Sequence, residues 1–289
     1  MYKEKTWKSI NNIEHHISFK GTYGAKGEKR GARKKKTPEE IERQNLINKR
    51  NKVRRTIQLN FFPNDLWITL NYPKGTRKPY KEVKEEFDKF ARQMRKEYKI
   101  RGEPLKFYYR IEIGSKGGIH IHMILNRIWG SDILVSKCWP GRSHFENLYE
   151  AGGYRKLADY LTKPLPNDSN KFKQMGLFDD MDERSMSHYG CSRNLIRPEP
   201  QEKAYKRKTV RKIIAEGPKP TQGFYIDKDS IRIGINPYTG YSYIYYTEIR
   251  IEQFKRLVRP PEEEDAGKHI LRKFNTRGKG KAGQGYVFA

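Results

Sequence analysis

Along the middle of the chain, apolar positions switch between two periods, and each switch marks a change of element. Val83, Phe87, Phe90, Ala91, Met94 and Tyr98 fall on one stripe at helical spacing and predict a helix over 80–98. Residues 106–113, Lys-Phe-Tyr-Tyr-Arg-Ile-Glu-Ile, read as a strand from their aromatic and branched content. The run from Ile119 to Leu125 alternates with a period of two, so Ile119, Ile121 and Met123 supply a buried side. Between these strands, Gly114-Ser115-Lys116-Gly117-Gly118 provides the flexible residues of a hairpin. A strand over 66–72, a short helix near 131–138 and a strand near 143–148 complete a β-α-β-β-α-β order, and a helix follows over 153–163. That order predicts an α+β fold: a ferredoxin-like antiparallel sheet with helices on one face and the other face open.

In the last of these helices, Tyr154, Leu157, Ala158 and Leu161 form the apolar stripe, bracketed by Gly152-Gly153 and Pro164. Tyr154 is therefore expected in the core. Tyr160 falls off the stripe, on the side of Lys156 and Lys163, where it is either a partly buried aromatic or a phenol offered to a site.

Outside this region the patterning weakens. Residues 1–36 are rich in Gly and Lys and read as a basic arm with little core-forming material. Thr37-Pro38-Glu39-Glu40 looks like a helix start, with Thr37 as cap, and the helix is expected to run to about Arg55. Residues 165–222 read as polar, Pro-rich loop, with Ser192-Arg193-Asn194 an ordinary loop or a phosphate contact. A hairpin is expected from Ile231–Ile235 and Tyr241–Ile249, whose Tyr241, Tyr243, Tyr245 and Tyr246 are half-buried strand aromatics or rings for stacking bases. The expected organisation is thus a basic arm and helix over 1–58, a core domain over 59–200, an accessory hairpin region over 201–259 and a disordered basic tail over 260–289.

Charge narrows the choice of partner. The chain carries 61 Lys and Arg against 34 Asp and Glu, a formal charge of +27, with a pI near 9.9. That field suits a polyanion, although charge alone does not separate DNA from RNA or from an acidic membrane surface. No long apolar run or secretory signal is present, which leads to the expectation of a protein in the cytoplasm of a bacterial cell, away from membranes. Cys138 and Cys191 provide neither a disulfide framework nor a Cys-x-x-Cys zinc site.

The candidate chemistry lies in Gly117-Gly118-Ile119-His120-Ile121-His122. Residues two apart on a strand share a face, so both imidazoles project together and form a candidate metal-binding pair. If Ile113 pairs with Ile119, Glu112 lies opposite His120, within the roughly 5 Å of cross-strand neighbours. Solvated or hydrogen-bonded surface histidines are the alternative reading of the same pattern.

His120-Ile121-His122 resembles the His-hydrophobe-His motif of HUH endonucleases, and Tyr160-Leu161-Thr162-Lys163 resembles the Tyr-x-x-Lys motif of rolling-circle replication initiators. Leu66-Trp67-Ile68-Thr69-Leu70-Asn71-Tyr72 is similar to their first strand motif, with Asn71 where Thr is common. The three motifs occur in initiator order across roughly residues 60–200, and the likeness is to the plasmid and filamentous-phage gene II type of replication-associated protein. The resemblance implies that Glu112, His120 and His122 hold a divalent metal, Mn2+ or Mg2+. It further implies that Tyr160 attacks the scissile phosphate of single-stranded or origin DNA, with Lys163 as electrostatic helper. A phenol of pKa about 10 needs such help. The expected product is a 5′-phosphotyrosine link with a free 3′-OH. No phosphate-binding loop of the Gly-x-x-x-x-Gly-Lys type occurs, so a separate helicase is expected, together with a DNA polymerase. The alternatives are a single-tyrosine HUH transposase, a noncatalytic nucleic-acid-binding protein, and a His-His-Glu zinc hydrolase; the last leaves Tyr160, Lys163 and the charge unexplained.

Overall fold

In a computed structural model, which describes residues 1–21, 37–113, 118–148, 154–163, 189–236 and 239–260, the chain forms two five-stranded antiparallel sheets. In chain order the elements are β1 (Tyr2–Lys8), β2 (Asn12–Phe19), α1 (Pro38–Asn60), β3 (Leu66–Asn71), α2 (Tyr80–Ile100), β4 (Phe107–Ile113), β5 (Ile119–Leu125), α3 (Ser131–Cys138), β6 (Arg142–Asn147), α4 (Arg155–Thr162), β7 (Tyr189–Cys191), β8 (Gln201–Tyr205), α5 (Arg207–Glu216), β9 (Phe224–Ile235) and β10 (Ser242–Arg250).

The first sheet has the order β6-β3-β5-β4-β7. Its first four strands, with α2 and α3 as crossovers, are the predicted ferredoxin-like α+β arrangement. Strand alternation sends Leu66, Ile68, Leu70, Ile111, Ile121 and Met123 to one face, where the α2 stripe of Val83, Phe87, Phe90, Ala91, Met94 and Tyr98 is buried against them. Phe87 shows how tight this layer is: it is 1% exposed and its ring lies 4.2 Å from that of Tyr109. Each such side chain contributes about 1.5–3 kcal/mol through burial.

The second face is divided along the strands. At one end Trp67, Tyr108 and Ile124 lie under Val53, Ile57 and Phe61 from the α1 end and under Ala158 and Leu161 of α4. At the other end, around Asn71, His120 and Glu112, the side chains stay partly exposed. Helices on one face therefore describes α2 and α3, and α1 with α4 covers half of the opposite face as well. This packing also explains the length of α1. Thr37 caps it in a full capping box with Glu40, as expected, but the helix continues past Arg55 to Asn60 because its last turns are buried.

The second sheet, ordered β8-β1-β2-β10-β9, corrects two readings of the sequence. Residues 2–19 are not an arm without core-forming material. They supply the two adjacent strands β1 and β2, and Tyr2 and Ile17 are buried with Val210, Ile244 and Tyr246 under α5. Their few apolar residues suffice because the rest of the core comes from residues more than 180 positions later. Residues 165–222 likewise contain β7, β8 and α5, elements too short or too polar to stand out until they pair; 164–188 lie outside the described residues. In the 192–194 stretch the loop reading holds, since Ser192 and Asn194 hydrogen-bond the backbone of Phe107 and Leu105. The hairpin is present but longer, starting at Phe224. The basic stretch 22–36, the Gly-rich turn over 114–117, the Gly152-Gly153 and Pro164 brackets and the tail beyond 260 lie outside the described residues.

Two sets of contacts join the sheets. Glu14 of β2 is buried and receives Arg55 in a two-bond fork at 2.8 Å, with Arg54 at 2.8 Å and His16 at 2.7 Å. Burial opposes its ionisation, yet Arg55, His16 and Arg54 outweigh that and hold the carboxyl far below its usual range. Residues 254–256 then bridge Asn11 (2.8 and 2.9 Å) to Asn64 and to the buried Asp65, which pairs with Arg256. Among the described residues no helix is long and apolar enough to cross a membrane.

Candidate functional site

Strand registry alone assembles most of the site. β4 pairs with β5 so that Glu112 stands opposite His120 and Arg110 opposite His122. β5 pairs with β3 so that His120 faces Asn71 and His122 faces Thr69. All six side chains project from the sheet face that α1 and α4 cover only in part, and β6 adds the exposed Arg142 and the partly exposed His144 opposite Asn71 and Thr69.

Each imidazole is held through Nδ1 by a polar side chain of β3. His120 Nδ1 lies 2.6 Å from Asn71 Oδ1, which can only accept, so the proton sits on Nδ1 and the Nε2 lone pair is left for another partner. His122 Nδ1 lies 3.2 Å from Thr69 Oγ1, and its Nε2 is 3.6 Å from Glu112 Oε2. The His122 ring also stacks on Trp67 at 5.6 Å. Burial pushes the His122 pKa down; Glu112 opposes the shift, while His120 and Arg110 add to it. The ring is thus neutral at physiological pH, the form that ligates metals.

α4 delivers Tyr160 to this cluster. Tyr154, 1% exposed, anchors the start of the helix in the core with Ala158 and Leu161, at a left-handed φ of 59°. Tyr160 leaves that stripe, and its hydroxyl donates to Glu112 Oε2. Its ring meets His122 edge to face at 5.2 Å and Trp67 at 5.9 Å. Burial raises the phenol pKa, and the bond to Glu112 raises it further. Arg110 fixes the far end of the helix: its Nη1 donates to the carbonyls of Leu161 (3.1 Å) and Lys163 (2.7 Å), and the guanidinium lies 6.0 Å from the Tyr160 ring centre.

The structure therefore brings Glu112, His122 and Tyr160 into contact and sets His120 beside them, with the two imidazole centres 6.4 Å apart. Lys163 is different. It occupies the C-terminal cap of α4 with an exposed side chain, and among the described residues no bond joins its ammonium to the cluster. Nor, among the described residues, do three His, Cys, Asp or Glu side chains converge as a ready-made cation cage. Sequence reasoning did not assign roles to Thr69, Trp67 and Arg110; the signal for the first two was the period of two along β3, which puts them on the face of Asn71.

Residues 65–165, the stretch from the start of β3 past the end of α4, match the family described as the replication-associated protein of ORF2 and phage gene II. No curated protein and no solved structure matches the chain. The matched stretch contains every residue of the cluster, and across it the chain is a replication-associated protein of the gene II type.

Proposed function

We propose that this site nicks and rejoins single-stranded origin DNA through Tyr160, starting rolling-circle replication. The observation that carries the reading is the Tyr160 hydroxyl bonded to Glu112 beside two imidazoles, within the family-matched stretch. The Tyr160 oxygen forms a new bond to phosphorus, the bond from phosphorus to the 3′ oxygen breaks, and that oxygen leaves as the 3′-OH after taking a proton from solvent. The phenol proton passes to Glu112, the acceptor it already faces; its raised pKa makes that transfer necessary, because almost no phenolate is present at neutral pH. Reversal of the same steps rejoins the strand. Lys163, exposed one turn beyond Tyr160, offers positive charge to the phosphate.

His120, His122 and Glu112 would hold a divalent cation, Mn2+ or Mg2+, and the donor set fits. Both Nδ1 atoms are engaged by β3, which orients each ring to present Nε2, and Glu112 Oε2 already lies 3.6 Å from one of them. When bound, such an ion supplies charge neutralisation at the phosphate oxygens. The freed 3′-OH would prime a DNA polymerase, with a separate helicase opening the duplex.

The test is incubation of the chain with labelled single-stranded DNA and Mn2+ or Mg2+, followed by denaturing electrophoresis and mass spectrometry. A covalent nucleotide on Tyr160, absent from Tyr160→Phe at unchanged DNA affinity, is expected. An adduct on Tyr154, or on no tyrosine, overturns the reading.

A further inference from the structure

The second sheet has two unlike faces. Tyr2, Ile17, Ile244 and Tyr246 point toward α5 and form its apolar core. Registry sends Trp7, His16, Tyr245 and Tyr243 to the opposite face, where none of them is buried. Of the four tyrosines in the hairpin, only two therefore face this way: Tyr241 packs on Phe19 at 3.8 Å and Tyr246 on His15 at 4.5 Å.

The four rings make one continuous row across the strands. Trp7 meets His16 edge to face at 5.0 Å, His16 stacks on Tyr245 at 4.2 Å, and Tyr245 is 4.9 Å from Tyr243. Tyr243 extends the row over β9, because its ring fills the space a β-carbon at Gly234 would need, 2.6 Å from the hydroxyl. The row starts where α1 meets the sheet, with Arg55 3.5 Å over the Trp7 ring. Along β1, Lys3 and Lys5 alternate onto the same face as Trp7, with Lys5 half exposed, and Lys20 follows β2. Lys3, and to a lesser extent Lys5, pushes the Lys20 pKa down, as like charges at close range do. Among the described residues one carboxylate, Glu202, answers this group, at 2.6 Å from Lys3 and 3.7 Å from Lys5.

A row of partly exposed rings beside surplus ammonium groups has the complementary chemistry of unpaired bases on a phosphate backbone. Duplex DNA hides its base faces within its own stack and cannot use the rings. We propose that this face is a second docking surface for single-stranded DNA, separate from the Tyr160 cluster, with bases stacking on the row from Trp7 to Tyr243 and phosphates following Lys3, Lys5 and Lys20. The proposal rests on the reading that the chain acts on DNA, and it is independent of the chemistry at Tyr160.

The experiment measures binding of the full chain to fluorescent oligo-dT by anisotropy across a salt series. Tyr243→Ala with Tyr245→Ala should weaken binding by about tenfold or more, the loss expected when aromatic stacking is removed, while leaving the salt slope and duplex binding unchanged. Tyr243→Phe with Tyr245→Phe should bind like the parent. Lys3→Ala with Lys5→Ala should instead flatten the slope, by roughly 0.7 for each phosphate no longer neutralised. Parental affinity in the alanine pair, equal loss of duplex binding, or greater loss for an RNA oligomer would overturn the proposal. To guard against misfolding, photocrosslinking of iodouracil-substituted DNA to the unaltered chain should label Trp7, His16, Tyr243 or Tyr245; labelling confined to residues 65–163 would overturn it. Adduct formation at Tyr160 is scored separately, so failure of either reading is distinguishable from failure of the other.

Discussion

Asn71 departs from the usual residue of the first strand motif, and the structure shows what the amide does: it accepts from His120 Nδ1 and so sets the tautomer and aim of that imidazole. Removing the amide frees the ring to rotate and shift its proton. Asn71→Ala should therefore raise the half-saturating cation concentration by about 10–100-fold, the usual effect of losing the group that orients a ligating histidine. A Mn2+ titration of strand cleavage reads this directly, with activity recovered at excess metal; unchanged half-saturation would separate Asn71 from the metal role. Tyr160 and Tyr154 were told apart by residue-scale reasoning, because helix periodicity assigns one to the core stripe and one off it. Where the off-stripe phenol pointed depended on packing, since on a lone helix the same position faces water.

At the scale of elements, α4 is short and poorly signalled at its ends, with no side-chain cap at its start. Its position is imposed by burial of Tyr154, Ala158 and Leu161 on one side and by the Arg110 guanidinium at its last carbonyls on the other. Arg110→Gln removes two charge-assisted bonds from a buried setting and should destabilise the chain by about 1.5–3 kcal/mol. It should also lower the rate of adduct formation while DNA affinity holds, since it loosens the helix that aims Tyr160. Chemical denaturation and single-turnover kinetics on the same variant test both, and a stability loss with a parental rate would limit Arg110 to structure. Strand pairing at this scale was well signalled. The partnership of Glu112 with His120 followed from a hairpin register that neighbouring residues in sequence could specify.

Across the whole molecule, the ends of the described chain meet. His15 of β2 lies between Glu4 of β1 at 2.7 Å and Glu248 of β10 at 3.4 Å, stacked on Tyr246. Burial works against the imidazolium, but Glu248 and Glu4 outweigh it and raise the His15 pKa above 6.5. The same contacts outweigh burial at Glu4 and Glu248 and lower both carboxyls below 4.5. A raised histidine pKa contributes stability that is complete below pH 6.5 and lost as pH rises through the folded value. The lowered carboxyls contribute stability present above pH 4.5 and lost as pH falls. Stability from this triad should then be greatest between about pH 4.5 and 6.5, and His15→Gln should flatten its decline above pH 6.5, as read from urea midpoints across pH. For the same reason, deleting residues 1–21 should unfold the second sheet and expose Ile244 and Tyr246, not merely weaken DNA binding. Retention of the parental circular dichroism and urea midpoint after that deletion would contradict it.

Features whose information is local were legible in the residues alone. The α2 stripe, the alternation of β5, the Thr37 cap and the placing of Tyr154 in the core depend on residues a few positions apart, where one side-chain period decides what is buried. The charge that suits a polyanion and the spacing that puts His120 and His122 on one face belong with them. Three-dimensional packing was needed to establish how far α1 runs, that half of the first sheet's second face is covered, and that residues 2–19 are strands built into the second sheet. In each case the buried surface is completed by a partner far along the chain, so neither side carries a complete pattern. The contact of Tyr160 with Glu112 is of the same kind: α4 and β4 share no local register, and it is the core beneath them that sets their distance.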